Sequence, residues 1–175
     1  MKYTDHSAFT AKFNGLAGVI ITDVTISQVD ESDVSKQIKS KAIWDTGATI
    51  CAITQEYAIQ LNLSPIDRTM VNGVHGPEKV NVYLIDIYLP NSVILKARKV
   101  VECKKLTDDG ACALLIGMDV IRHGDMTISN YDKKTVFSFR MPSQKHTDYV
   151  EVARGEQSRR MHLNKGKTPK RKGRK

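Results

Sequence analysis

Asp45 is the residue of this 175-residue chain best placed to do chemistry. It stands between a short apolar run, Ala42-Ile43-Trp44, and a turn of small residues, Thr46-Gly47-Ala48-Thr49. A carboxylate at such a boundary is open to partial desolvation, which shifts its proton affinity and suits it to general acid or base work. The tripeptide Asp45-Thr46-Gly47 occurs once. Alone it is a weak signal, because an aspartate that closes a strand at a turn is its commoner fate. Cys51 follows closely, but no histidine stands beside it to activate a nucleophile, so it reads as a small core residue. Asp119 and His123 read as parts of a short helix and its cap, His75 as a solvated loop histidine, and Trp44 as core packing next to the turn.

The elements that must position these residues read as mostly β. Residues 16–26 alternate loosely with many β-branched side chains, after Gly15 and around Gly18, and predict a long strand. Residues 41–44 predict a buried strand that stops at Asp45. Tyr57, Ala58 and Leu61 fall at helical spacing behind Thr54 as N-cap, with Glu56 in the first turn. Residues 66–74 and 79–89 predict two strands joined through Asn72-Gly73-Val74-His75-Gly76-Pro77, a hairpin-turn signal. Further strands are predicted over 93–103 and 113–116, the latter stopped by Gly117, then a turn or two of helix over 118–123 and a hairpin of 126–129 with 135–140. Many short strands with two small helices imply a closed or sandwiched sheet rather than βαβ units.

Three of these pieces, taken in order, resemble the retropepsin-like aspartic proteases over roughly residues 16–140: Ile43-Trp44-Asp45-Thr46-Gly47-Ala48-Thr49, Asn72-Gly73-Val74-His75-Gly76, and Leu115-Ile116-Gly117. Residues 115–123 look closer to the cellular ubiquitin-shuttle branch and its bacterial relatives than to the viral enzymes. The resemblance implies a closed, barrel-like β domain with one or two short helices and a flap hairpin, and a homodimer in which each chain contributes one Asp-Thr-Gly. It implies Asp45 as the catalytic residue, with support or substrate contact from Thr46, Gly47 and Ala48, from Gly73, Val74, His75 and Gly76 at the flap, and from Ile116 and Gly117. The substrate is an extended peptide, with no metal and no organic cofactor. Many viral members carry Asp and Arg where this chain has Thr49 and Met118; both partners are absent together, which implies a different bracing of the subunit interface.

Chemistry accounts for the dimer. Peptide hydrolysis by carboxylates needs two of them sharing a proton, one acting as base on the attacking water and the other donating to the carbonyl oxygen. Like charges about 3 Å apart do not both ionise, so such a pair titrates as one coupled unit. His75 at the flap tip would add pH sensitivity near the unperturbed histidine value of about 6.5.

Composition sets the frame for these parts. The net charge is +8 and the pI about 9.4, the usual footprint of a nucleic-acid-binding protein, but the excess is local. Nine of the 27 bases and none of the 19 acids fall in residues 159–175, leaving 18 bases against 19 acids in the rest. A hydrophobic fraction of 41% excludes wholesale disorder. The apolar runs are far short of the roughly 20 residues a membrane span needs. Asp5 and His6 stand where a signal peptide needs an apolar stretch, and three scattered cysteines give neither a disulfide framework nor zinc spacing; an intracellular, cytoplasmic protein is expected. The expected domains are an N-terminal extension at 1–15, the protease-like domain at 16–142 and a basic, disordered tail at 143–175, irregular from Arg154 on. The tail is either a solubilising end or, through residues 159–175, an anchor for nucleic acid or another polyanion. The alternative function is a catalytically idle dimerisation and binding module of the same fold, brought to nucleic acid by that tail.

Overall fold

The computed structural model describes residues 7–73, 76–90 and 93–165, the last six of these as backbone alone. Val74, His75 and residues 166–175 therefore lie outside the described residues. Met1–Gln144 form one compact unit and Lys145–Lys175 a second.

The longest strand organises the first unit. Gly76–Tyr88 (β6) pairs antiparallel through its first half with Asp67–Gly73 (β5), through its second half with Ile94–Cys103 (β7), and at its end with Ile21–Ser27 (β2). Because β2 also pairs with Ile38–Trp44 (β3), the sheet closes on itself. Its six-stranded ring runs β2, β3, Cys112–Ile116 (β8), Ala52–Thr54 (β4), β7, β6 and back to β2, with β5 added outside. The expected mostly β, closed-barrel architecture is what the chain adopts.

Alternation fills the barrel. Val24 and Ile26 of β2, Ala42 and Trp44 of β3, Ile85 and Ile87 of β6, and Leu114 and Ile116 of β8 are buried in one core. A bulge in β7 sets Lys96 and Ala97 opposite the single Asp86 of β6, the register shifting between Ile85 and Ile87. Ala97 there has φ +48°, and its N–H donates to Asp86 Oδ1 at 2.8 Å. The fully buried Asp86 carboxylate also accepts from Asp30 N at 3.1 Å and pairs with Lys96 Nζ at 2.6 Å. Burial alone would raise its pKa, but the lysine and the two amides outweigh it and hold the carboxyl below its ordinary range.

A second, three-stranded sheet packs beside the barrel: Ala8–Lys12 (β1), Val136–Arg140 (β10) and Asp125–Ser129 (β9), with β10 in the middle. Phe9, Phe137 and Phe139 project from it onto Trp44, whose ring centroid lies 4.8 Å from each of the last two and 6.0 Å from the first. Tilted aromatic pairs of this kind add about 0.5–1.5 kcal/mol each beyond area burial. Residues 8–12, within the segment expected as an N-terminal extension, thus form a strand paired with β10. Only Phe9 of that strand is buried, so the segment carries little apolar alternation to read.

Two short helices occur where expected, Gln55–Gln60 (α1) and Met118–Ile121 (α2). Thr54 occupies the N-cap position of α1 but makes no side-chain cap bond. The long strand expected over 16–26 starts only at Ile21. Leu16 and Val19 are exposed, and the chain before β2 crosses to the second sheet, where Thr135 N donates to the Gly15 carbonyl and Ala17 N to Thr135 Oγ1.

In the second unit, Tyr149–Lys165 forms a helix (α3). Asp148 caps it, its Oδ1 accepting from Val150 N and Glu151 N, and Ala153, Glu156, Gln157 and Arg159 are good helix formers. The described side chains of this helix are all exposed. Among the described residues, no helix is long and apolar enough to cross a membrane.

Candidate active site

Asp45 leaves β3 immediately after Trp44, and Trp44 is fixed on every side. Its ring is held by the three phenylalanines, its Nε1–H donates to Thr22 Oγ1 at 2.9 Å, and its backbone N–H donates to the Ile20 carbonyl at 3.0 Å. The next residue is therefore launched from a rigid base. Asp45 N donates to the Ile116 carbonyl at 3.0 Å, Asp45 Oδ1 accepts from Gly47 N at 2.8 Å, and Ala48 N closes a turn onto the Asp45 carbonyl at 3.3 Å. Asp45 is half-buried and Thr46, Gly47 and Thr49 are exposed. A carboxylate held at one oxygen and still reached by solvent can take a proton from water or pass one to a carbonyl oxygen.

Strand order explains why this loop is held. β3 and β4 are consecutive in the chain, yet β8 lies between them, parallel to β3 with Trp44 opposite Ile116 and antiparallel to β4 with Ala52 opposite Leu115. Residues 45–51 must therefore bridge across the end of β8, where the chain turns at Gly117. A β-carbon on Gly117 would lie 2.8 Å from both C and O of Ile50 and 3.0 Å from the Ala48 carbonyl oxygen, so only glycine fits. Met118 N completes the clamp by donating to the Ala48 carbonyl at 2.8 Å.

Beneath the loop sits Cys51, fully buried. Its Sγ accepts from Gly117 N at 3.3 Å and its S–H donates to Asp119 Oδ1 at 3.1 Å. Burial, with the neighbouring carboxylate adding to it, pushes the thiol far above its ordinary range, so it stays protonated and inert as a nucleophile. Asp119 stands in the first turn of α2, and its carbonyl accepts from Arg98 Nη2 of β7 at 2.8 Å.

The structure thus brings Asp45, Gly47, Ala48, Ile116 and Gly117 together. Gly73 and Gly76 lie opposite each other at the end of the β5–β6 hairpin, whose tip at Val74 and His75 is outside the described residues. Gly76 has φ +99°, a conformation that favours glycine. Loop and hairpin are joined by a second apolar cluster on the outer face of the barrel wall. Ala52, Val82 and Val101 are buried in it, and Ile50, Val71, Val80 and Leu115 pack half-exposed against them. These residues come from β4, β5, β6, β7, β8 and, for Ile50, the Asp45 loop, and of them Leu115 alone lies in a motif named from the sequence. For Ala52, Val80, Val82, Val101 and Leu115 the signal is present in the alternation, each being out of phase with the inward apolar residues of its own strand. No three His, Cys, Asp or Glu side chains that could hold a metal converge among the described residues.

Residues 35–121, which span β3 to α2 and so include every part of the clamp, match the family described as Spumavirus aspartic protease (A9). No curated protein matches the chain. Among solved structures it is similar to a retropepsin-like aspartic protease from Rickettsia conorii, at 17% identity over 77% of this chain and 93% of that one, with a TM-score of 0.48. It is also similar to an EIAV protease in complex with an inhibitor, at 16% identity over 61% and 88% with a TM-score of 0.44. A simian foamy virus (mac) protease matches at 20% identity over 57% and 91%, with a TM-score of 0.37.

Proposed function

We propose that the chain is a retropepsin-like aspartic endopeptidase that works as a homodimer, with Asp45 of each copy forming the dyad. One observation carries the proposal: the Asp45-Thr46-Gly47 turn is clamped over Gly117 by the Ile116 carbonyl and the Met118 amide, inside the segment that matches an aspartic protease family. One chain supplies one Asp45, so hydrolysis by a proton-sharing pair calls for a second copy. In the dimer one carboxylate accepts a proton from water as the oxygen attacks the peptide carbonyl, and the other gives its proton to the carbonyl oxygen. Thr46 would brace the pair across the two-fold axis, and Gly47 and Ala48 would leave backbone open to substrate. The β5–β6 hairpin, with Gly73, Val74, His75 and Gly76 at its end, would close over an extended peptide and add it as a strand. The half-exposed Ile50, Val71, Val80 and Leu115 offer that peptide an apolar wall.

Asp45→Asn tests this. The amide keeps an oxygen for the Gly47 N–H, so the fold should be unchanged, while peptide cleavage should fall by at least about 10³-fold. Full residual cleavage in that variant, or a parent chain that stays monomeric while cleaving, refutes the reading.

Two further proposals concern place and partner. The three cysteines are free, which fits a reducing, cytoplasmic setting. The run of nine bases without an acid in residues 159–175 fits a polyanion such as nucleic acid, which would decide where the enzyme acts rather than what it does.

A further inference from the structure

We infer that Cys51 is a positioning residue for Asp45, acting through a thiol that both accepts and donates a hydrogen bond beneath the active-site loop; the inference rests on the endopeptidase reading. The loop of residues 45–51 is tied to the β8–α2 turn at three levels. At its start Asp45 N donates to the Ile116 carbonyl, and in its middle the Ala48 carbonyl accepts from Met118 N. At its end the bridge is the Cys51 side chain, which takes Gly117 N–H at 3.3 Å and gives its own proton to Asp119 Oδ1 at 3.1 Å. Gly117 is the residue whose missing β-carbon lets the two segments touch, so its amide orientation sets their spacing. Asp119 is in turn anchored by Arg98 Nη2 on its carbonyl, which carries the support back to β7.

The chemistry demanded at position 51 is narrow. The site is fully buried, so the group there must be small, must offer an acceptor to an amide that has no water to turn to, and must offer a donor to a carboxylate. A protonated thiol meets all three conditions, and the burial that keeps it protonated also keeps its donor in place. A hydroxyl meets them too. A valine, larger by about one methyl group, fills the site and meets neither polar condition, leaving the Gly117 amide unpaired next to the loop that carries Asp45.

Cys51→Val and Cys51→Ser, made in the full chain, separate positioning from packing. For Cys51→Val, kcat should fall at least tenfold with KM within about twofold of the parent, and the Gly117 amide should exchange with solvent at least tenfold faster. Cys51→Ser should restore both to within about threefold. Asp119→Ala removes the thiol's acceptor from the half-exposed side, where folding is less at risk, and should show the same split between kcat and KM. Parental kcat in Cys51→Val, or a Cys51→Ser as impaired as the valine variant, overturns the inference. If the parent cleaves no peptide, the endopeptidase reading fails by itself, and the link between Cys51 and the loop falls only if Gly117 exchanges alike in the parent and in Cys51→Val.

Discussion

Replacing Gly117 with alanine puts a single methyl group into the tightest contact of the site. The backbone itself does not object: Gly117 has φ −97° and ψ −174°, which any residue adopts. The cost is steric. The new carbon would lie 2.8 Å from C and O of Ile50 and 3.0 Å from the Ala48 oxygen, and all three are main-chain atoms that cannot swing aside. Ordinary contact is restored only if residues 48–50 and 117–118 separate by about half an ångström, which stretches the Met118 N to Ala48 carbonyl bond and the Asp45 N to Ile116 carbonyl bond together. Overpacking of this kind costs roughly 1–3 kcal/mol, which for a unit of this size lowers Tm by about 3–9 °C. The displaced loop carries Asp45, and since a misplacement of about 1 Å can cost 10²-fold in rate, half of that should lower kcat by roughly tenfold. Steady-state cleavage of a peptide, read as kcat and KM separately, together with thermal unfolding at one protein concentration, measures both effects. Parental Tm with parental kcat would refute the claim that the loop is clamped at Gly117.

Asp86→Asn should destabilise the barrel by about 2–4 kcal/mol at neutral pH, because the amide cannot replace the charge facing Lys96 or accept at both oxygens. The sign of its pH dependence follows from the lowered folded pKa of Asp86. The stability it contributes is present above the unfolded value of about 3.9 and is lost as pH falls through the folded value, so denaturation curves of parent and variant should converge in acid; a gap that stays constant to pH 2 contradicts the burial argument. Truncation after Glu151 should leave peptide cleavage unchanged and remove binding to a DNA or RNA oligonucleotide whose affinity falls steeply with salt; binding that survives truncation shows that residues 159–175 are not the anchor.

Much of the barrel could be read from local pattern because its strands are bounded by chemistry that acts locally. The hairpin of β5 and β6 is announced by glycines on either side of its tip, the end of β3 by Asp45-Thr46-Gly47, and the end of β8 by Gly117. Residues 8–12 escaped because a strand with one buried side chain has almost no alternation; it is held by pairing to β10, nearly 130 residues away. Residues 16–20 misled because their apolar side chains continue the pattern of β2 while the chain has already left the sheet. At the site, Asp45 and Gly117 were legible as motif residues. The partnership of Cys51 with Asp119 was not, since a thiol and a carboxylate separated by 68 positions share no spacing rule. The apolar cluster of Ala52, Val82 and Val101 was hidden for the same reason, being assembled from one residue on each of three strands.

The placing of β8 between β3 and β4 also bears on the order in which the candidate site can form. A chain emerging from synthesis up to residue 103 already holds both members of the β2–β3, β5–β6 and β6–β7 pairings. It does not yet hold the Ile116 carbonyl, the Gly117 turn or the Met118 amide on which the Asp45 loop rests, about 70 residues downstream. Closing so long a loop is slow compared with forming local hairpins. The nascent chain should therefore pass through a stage with most of its barrel strands made and the Asp45 loop still without its supports, so that loop is expected to settle among the last parts of the barrel.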